Sequence, residues 1–313
     1  MTTSTALIDW RAQHGDDWNQ RPLRLQHRMH QSALFQRAAL ASLIERFPAT
    51  DYALVLTSRK GDAQRRWREG DLGGASGEQV LDAIAAGSMW LNLRQAHLHD
   101  AGLNQLMQGL YAELREAMPG FDASALKMGI LISSPSVQVH YHCDLPGQAL
   151  WQIAGRKSVW IYPPKAPFLT PEALEDIAFS GVEFKLQYDP VYDRDAVVLE
   201  LEPGQALHWP LNSPHRIDNH DCLNISVTTE HWTTQNRRSQ QVTLANAVLR
   251  QRLGMGASSR QLAGPGFWAK WALQAAWRRS PWALQAQRGE RPIDFRLDPD
   301  RLGAVLDMPV QFR

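Results

Sequence analysis

The sequence predicts a mainly β fold with flanking helices, in which the strands form an antiparallel sandwich or barrel of the jelly-roll type. Short runs of β-branched and aromatic residues, divided by Pro and Gly, fill the middle of the chain without helices between them. Apolar residues recur at three- and four-residue steps on both sides of this region. The 313 residues are 44% hydrophobic and 21% charged, so the chain can bury a sizeable core.

Residues 1–120 are predicted to be mostly helical and to support the core. The helical period runs from Ser32 to Phe47 and from Gly77 to Ala86. A third helix is expected after Asp100, which is a good N-cap residue. Its apolar stripe consists of Leu103, Leu106, Met107, Leu110 and Leu114. The Gly- and Arg-rich stretch from Ser58 to Gly77 is predicted to be a surface loop.

Residues 121–235 are predicted to form the β core. The expected strands are Ile130–Ile132, Val137–His142, Ala149–Ile153, Ser158–Tyr162, Ala196–Leu201, Ala206–Trp209 and Leu223–Thr229. Residues 163–194 interrupt this series as an insertion, in which a short helix is expected from Pro171 to Phe179. The close spacing of the strands favours antiparallel pairing between neighbours.

Residues 236–313 return to helical periodicity from Ser239 onward. One face of the C-terminal helix is predicted to carry Trp268, Trp271, Ala275 and Trp282. A basic, Trp-rich helix is also typical of membrane surfaces. Because the tryptophans share one face and Pro281 ends the run, we predict that this face packs against the barrel or a second subunit.

The composition argues against several classes of protein. Lys and Arg number 33 against 32 Asp and Glu, a formal charge of +1, which is too little for a sequence-independent nucleic-acid binder. Cys143 and Cys222 are too few for a disulfide scaffold and indicate a reducing compartment. No apolar run reaches the roughly 18 residues of a membrane span, and no signal-peptide core is present. We therefore expect a soluble, cytoplasmic protein.

The section from His140 to Asp144 carries the strongest chemical signal. His140, His142 and Asp144 occupy alternate positions, so a strand would point all three to one face. Two histidines and one carboxylate suit ferrous iron and leave coordination positions open. A second His-x-Asp match, at His14 and Asp16, lies in a polar setting outside the predicted strands and is interpreted as chance.

Two further sections resemble a known family. Residues 210–219 resemble the second cupin motif, P-x-G-x-x-H-x-x-x-N, with matches at Pro210, His215 and Asn219 and with Asn212 in place of the glycine. Asn also tolerates positive φ, so the turn stays feasible. Residues 153–164, with Lys157 thirteen positions after Asp144, resemble the corresponding strand pair of JmjC and cupin-like 2-oxoglutarate oxygenases, especially the asparaginyl-hydroxylase branch.

The resemblance covers residues 127–232, about a third of the chain, and implies a double-stranded β-helix core. It implies that His142, Asp144 and His215 bind Fe(II) and are the catalytic residues. It also implies that Lys157 binds the far carboxylate of 2-oxoglutarate. The expected activity is that of a 2-oxoglutarate-dependent dioxygenase, an oxidoreductase that hydroxylates a C–H bond with O2 and releases succinate and CO2. A homodimer formed through C-terminal helices is a further implication.

Three positions depart from the asparaginyl-hydroxylase pattern. Val139 stands where a cosubstrate-binding threonine is expected, while Gln148 and Glu230 each replace an asparagine. A carboxylate at position 230 would repel 2-oxoglutarate unless it is paired or protonated. Asn224 and Thr228 alternate with Glu230 on one strand face and are predicted to be replacement contacts for the cosubstrate, together with Ser226.

Two other functions stay open from the sequence. The first is a metal-dependent cupin enzyme that does not use 2-oxoglutarate, and the second is a non-catalytic cupin binding module. The substrate is expected to be an amino-acid side chain in a protein or peptide, or a small natural product. His140 is expected to contact substrate or to have a structural role rather than to be a fourth ligand. If the basic stretch from Arg59 to Arg68 covers the mouth of the site, it would favour an acidic substrate.

Overall fold

The computed structural model describes residues 6–7, 9–59, 67–182, 186–256, 258–283 and 291–312. The N-terminal elements are α1 (Ala12–Asp17), β1 (Leu23–Gln26), α2 (Arg37–Glu45), β2 (Tyr52–Thr57), β3 (Trp67–Asp71), α3 (Gly77–Ala86), β4 (Met89–Leu93) and α4 (Ala101–Ala117). Next come β5 (Ser124–Ser133), β6 (Gln138–His142), β7 (Gly147–Ala154), β8 (Lys157–Ile161), α5 (Pro171–Ser180), β9 (Val197–Leu201), β10 (Gln205–His208), β11 (His215–Asn219) and β12 (Asn224–Trp232). The C-terminal elements are α6 (Thr234–Leu253), α7 (Gly264–Arg278), β13 (Pro292–Leu297) and β14 (Val305–Phe312).

The described strands form two sheets. The strand order is β1-β10-β7-β12-β5-β4-β2-β3-β13-β14 in the ten-stranded sheet and β6-β11-β8-β9 in the four-stranded sheet. Strands β5 to β12 alternate between the two sheets, except that β8 and β9 both lie in the smaller one, which is the winding of a jelly roll. The remaining strands extend the larger sheet on both sides. β13 runs parallel to β3, although the two are far apart in sequence.

The strand boundaries confirm most of the predicted core. The predicted strands correspond to β5 to β10 and β12, with the largest difference at β5, which begins at Ser124 rather than Ile130. β11 is an additional strand. Helix α3 has the predicted bounds, and the Asp100 side chain accepts a hydrogen bond from the Leu103 amide, as expected of the N-cap of α4. Helix α5 also lies where the insertion was predicted to be helical.

Other predictions for the terminal regions need correction. The predicted helix from Ser32 to Phe47 is a 3₁₀ turn at Ala33–Phe35 followed by α2, because Gln36 between them is extended. The predicted surface loop contains β3, and Lys60, Arg65 and Arg66 lie outside the described residues. β1 to β4 and β13 to β14 were not predicted. Burial alternates along β1, β4 and β13, but each is only four to six residues long, which is too short for a clear period. The division at residues 120 and 235 stays a prediction.

Three hydrophobic clusters hold these layers together. The largest packs α2, α3 and α4 on the ten-stranded sheet. The second lies between the two sheets and includes Leu150, Val159, Ile161, Leu207 and Ile217. The third covers the outer face of the four-stranded sheet with the insertion and includes Tyr141, Cys143, Tyr162, Phe168, Leu169 and Ile177. A cavity between the two sheets therefore has two rigid walls, one from each sheet.

The tryptophans of the C-terminal helix were predicted to pack against the barrel or a second subunit. The structure does not bury them against the barrel. Trp268, Trp271 and Trp282 are 58%, 43% and 66% exposed. The buried positions of α7 are Phe267, Lys270 and Gln274, so the helix packs through the neighbouring face. Packing of the tryptophans on a second subunit stays a prediction. Among the described residues, no helix is both long enough and apolar enough to span a membrane.

Candidate metal centre and its cavity

Two strands of the four-stranded sheet bring three candidate ligands together. His142 ends β6, His215 begins β11, and the two residues are direct cross-strand partners. Asp144 follows β6 by two residues. One ligand atom from each of the three side chains lies within 4.8 Å of the others, and all three residues are buried. Within the described residues, this is the group of His, Cys, Asp and Glu side chains that is arranged to hold a metal ion.

Hydrogen bonds orient both imidazole rings. Nδ1 of His142 lies 2.6 Å from the His140 carbonyl oxygen, and Nδ1 of His215 lies 3.1 Å from the Ser213 carbonyl oxygen. A carbonyl oxygen only accepts, so each Nδ1 carries the proton and each Nε2 keeps its electron pair. Nε2 of His215 points toward Asp144, at 3.4 Å from Oδ2. A backbone carbonyl that fixes the tautomer is a common partner of a metal-binding histidine.

The electrostatics of the three side chains fit a divalent cation. Burial raises the pKa of Asp144 to about 8, and the charge of Glu230 adds to this effect. Oδ2 of Asp144 is shielded from water and has no hydrogen-bond partner among the described residues. Burial and the nearby His142 lower the pKa of His215 well below its ordinary value, so this ring is neutral. A bound cation would supply the positive charge that the buried carboxylate lacks.

His140, His142 and Asp144 all line the cavity described below, and a β-bulge interrupts the simple alternation of β6 between them. His215 pairs with His142, but Ile217 pairs with Val139, so two residues of β6 lie opposite Arg216. The extra residue breaks the alternation, and Val139 faces the interior cluster together with Ile217. His140 borders the cavity described below but is not one of the three grouped ligands.

A cavity of about 720 Å³ begins at these three residues and extends across the ten-stranded sheet. Apolar side chains line the part next to the metal-binding group: Leu131, Val139, Leu150, Trp209 and Ile217. The remote part is lined by Ala53, Val55, Trp67, Glu69, Trp90, Asn92, Arg94 and Arg291. No sequence signal pointed to the remote residues, because their strands were not predicted and only sheet register brings them together.

The predicted cosubstrate residues lie at different depths. Lys157 is 3% exposed on β8, its Nζ donates to Ser226 Oγ at 2.8 Å, and burial lowers its pKa to about 7. It pairs with Asn219, four residues along β11 from His215, about 13 Å away along the strand. Asn224 Oδ1 accepts from Gln152 Nε2 at 2.8 Å. Of the four predicted contacts, Thr228 lines the cavity, whereas Lys157, Asn224 and Ser226 lie beyond its lining.

Glu230 lines the same cavity and has a cationic neighbour. Its Oε2 lies 3.5 Å from Nζ of Lys127, its partner on β5. From the sequence, this carboxylate was expected to repel 2-oxoglutarate unless it was paired or protonated. The ion pair with Lys127 supplies that pairing, although both side chains are partly exposed and the pair is correspondingly weak.

Comparisons with known proteins agree with this fold. No protein-family model matches the chain, and no curated protein matches it in sequence. An X-ray structure of Escherichia coli YcfD is 18% identical, with 93% of this chain and 75% of that chain covered and a TM-score of 0.50. The structure of YcfD, a ribosomal oxygenase from Escherichia coli, in complex with cobalt and 2-oxoglutarate is also 18% identical, with 94% and 75% covered and a TM-score of 0.51. The predicted mainly β fold with flanking helices and a jelly-roll core is confirmed.

Proposed function

We propose that this chain is an Fe(II)- and 2-oxoglutarate-dependent oxygenase that hydroxylates a C–H bond of an amino-acid side chain. The observation that carries the proposal is the buried grouping of His142, Asp144 and His215, a donor set of two nitrogens and one carboxylate oxygen. The similar fold of YcfD, which was solved with cobalt and 2-oxoglutarate, supports it. When bound, ferrous iron with 2-oxoglutarate and O2 supplies the oxidising chemistry, and succinate and CO2 are released.

The protein holds the three ligands rigidly in this proposal. The carbonyl oxygens of His140 and Ser213 keep the imidazole rings in the tautomer that binds metal through Nε2. Nδ2 of Asn212 donates to the Asp144 carbonyl oxygen at 2.6 Å and fixes the backbone that carries the carboxylate. Asn212 adopts a φ of 61°, a left-handed conformation that asparagine tolerates better than most residues. The predicted replacement of the motif's glycine is therefore compatible with the turn.

Lys157 is the proposed anchor for the far carboxylate of 2-oxoglutarate. Its ammonium group lies in the barrel interior next to Ser226, and a carboxylate is the counter-ion that such a buried charge requires. Apolar side chains between the two sheets exclude water from the space between this lysine and the metal ligands. Asn224 and Thr228 remain proposed secondary contacts for the cosubstrate.

An anaerobic titration with Fe(II) and 2-oxoglutarate tests the proposal. We expect a visible charge-transfer band at about 500 nm, as for a keto acid chelated at an open ferrous site. The band should be lost in His142→Ala and much weaker in Lys157→Ala. His220→Ala is a matched control, because His220 is a partly exposed histidine that bonds Glu200 outside the cavity. Absence of iron binding would contradict any metal-dependent function.

One observation favours a second candidate function, a metal-dependent cupin enzyme that does not use 2-oxoglutarate. Lys157 is hydrogen-bonded to Ser226 and is not part of the cavity lining. In that case iron would bind without producing the band, and Lys157→Ala would keep full activity. The titration described above separates the two functions, because the band requires the keto acid to bind the metal.

A further inference from the structure

We propose that the remote part of the cavity binds an acidic side chain of an extended polypeptide substrate, about four residues from the residue that reacts. This inference rests on the proposed function, since it names the substrate class of the same cavity. The remote part is called the distal basin here, and its residues are Ala53, Val55, Trp67, Glu69, Trp90, Asn92, Arg94 and Arg291.

Sheet register gives the distal basin its shape. Ala53 and Val55 on β2 are small and form the floor. On one side, Trp90, Asn92 and Arg94 alternate along β4 and its end. On the other side lie Trp67 and Glu69 of β3, and the rings of Trp67 and Trp90 are 5.8 Å apart in an edge-to-face arrangement. The basin is therefore a depression with polar and aromatic walls.

Two guanidinium groups meet at one end of the distal basin. Nη2 of Arg94 and Nη2 of Arg291 donate to the same carbonyl oxygen, that of Thr50, at 2.9 and 3.4 Å. Among the residues that line the basin, Glu69 is the carboxylate that compensates them, at 3.3 Å from Nη1 of Arg291. Asp51, another carboxylate near Arg94, binds Nε2 of His99 at 2.8 Å and is not part of the lining. The lining thus carries one positive charge in excess.

The donors in the distal basin suit a carboxylate. Arg94 uses Nε and Nη2 on the carbonyl oxygens of residues 50–52, and among the described residues its Nη1 makes no hydrogen bond. The Trp90 indole nitrogen is shielded from water and also has no hydrogen-bond partner in the described ranges. Planar guanidinium groups bind carboxylates in fixed geometry, so an incoming acidic side chain would gain charge-assisted bonds.

The distance to the metal ligands sets the length of the substrate. Asp144 and Gln148 of β7 line the same cavity, and the Gln148 side chain acts to lower the pKa of Asp144, so the metal-binding group lies beside β7 and its neighbour β12. From β12 to β2 the sheet order passes β5 and β4, so the separation is three strand spacings, or about 14 Å. An extended chain covers this distance with about four residues. A compact metabolite would not reach both places.

The first test measures binding rather than turnover. The full chain, loaded with Zn(II) and 2-oxoglutarate, is passed at low salt over two immobilised pools of random peptides. One pool contains Asp and Glu, and the other contains Asn and Gln in their place. We expect about tenfold stronger retention on the acidic pool. Equal retention on the two pools would overturn the inference.

Opposite effects of two substitutions distinguish binding from a structural role. Arg291→Gln should abolish the acidic preference. Glu69→Gln should increase it, because Arg291 loses its internal carboxylate. If the ion pair between them only supports the fold, both variants will weaken retention alike, and the inference fails. Arg296→Gln is the matched control, since Arg296 lies on β13, just after Arg291 in the chain, is exposed and does not line the cavity; it should keep the preference.

A second arm measures the spacing. The acidic pool is incubated with the enzyme, Fe(II), 2-oxoglutarate and air, and mass spectrometry locates the added oxygen. An acidic residue should recur about four positions from the oxidised residue, whereas the absence of a fixed offset would reject the extended geometry. If the acidic preference persists but nothing is hydroxylated and no charge-transfer band forms, the oxygenase proposal fails and the acid-binding basin stands.

Discussion

The two ends of the cavity are built from different kinds of sequence information. The metal end takes its three side chains from two paired strands and the turn after one of them, and all three are buried. The distal basin takes its residues from β2, β3, β4 and the segment before β13, and Glu69 and Arg291 are 222 positions apart. A local motif therefore specifies the metal end, whereas long-range strand pairing specifies the distal basin.

The largest effect is expected from a substitution that disrupts only the metal end. Asp144→Asn should weaken Fe(II) binding at least about 100-fold, because a neutral amide replaces the anionic ligand. The metal-free protein should melt at the same temperature or higher, since the buried Oδ2 has no hydrogen-bond donor among the described residues. Isothermal titration and calorimetry measure the two quantities. A large fall in the melting temperature of the metal-free protein would contradict this account of the site.

The next largest effect is a loss of stability at acidic pH, caused by a buried histidine. His208 is buried, its Nδ1 donates to the Gln148 carbonyl oxygen at 2.7 Å, and burial lowers its pKa to about 3. Its folded pKa is depressed, so below pH 6.5 the unfolded chain binds a proton that the folded chain excludes. The free energy of unfolding should then fall by about 1.4 kcal/mol per pH unit from this group between pH 6.5 and 4.

His27 and His231 should act in the same direction, because burial lowers the pKa of each to about 4. Urea unfolding at a series of pH values measures the combined slope. In His208→Gln the slope of the unfolding free energy against pH should decrease by the contribution of one buried histidine. An unchanged slope would show that His208 is protonated in the folded protein or does not titrate in this range.

A substitution at Gly70 should disturb the distal basin and leave the metal end intact. A Cβ at this position would lie 2.4 Å from the ring of Phe295, which is fully buried on β13. Gly70→Ala should therefore cost about 1–3 kcal/mol of unfolding free energy by overpacking the contact between β3 and β13. Fe(II) affinity should stay within about twofold of wild type. A parallel loss of iron binding would show that the two ends are coupled.

The smallest effect is expected from Trp67→Ala. Trp67 is 42% exposed, so its removal should change the free energy of unfolding by less than about 1 kcal/mol. Peptide retention should weaken, because the ring forms a wall of the distal basin together with Trp90. Leu98→Ala is a suitable control, since Leu98 is 65% exposed and does not line the cavity. Equal retention by both variants would remove Trp67 from the substrate surface.

Sequence patterns pointed to the three residues that the structure brings together at the metal end, because their signals are local. The His-x-Asp pair, the His215 motif and the Asp100 cap each depend on residues a few positions apart. The bulge in β6 escaped prediction, because one extra residue leaves the alternation of His140, His142 and Asp144 unchanged in the sequence. The distal basin was not predicted, for another reason. Glu69, Val55 and Trp90 become neighbours only through strand register, which a single sequence does not encode locally.

The parallel pairing of β3 with β13 also has a consequence for how the protein is made. At about 5–20 residues per second, the 222 positions between Glu69 and Arg291 take roughly 10–40 s to synthesise. During that interval β3 is an open sheet edge on a nascent chain. Arg68, Glu69 and Asp71 place three charges in this five-residue strand, and charged edge strands resist pairing with other chains. Glu69, which later lines the distal basin, would thus first help to protect the growing chain from aggregation.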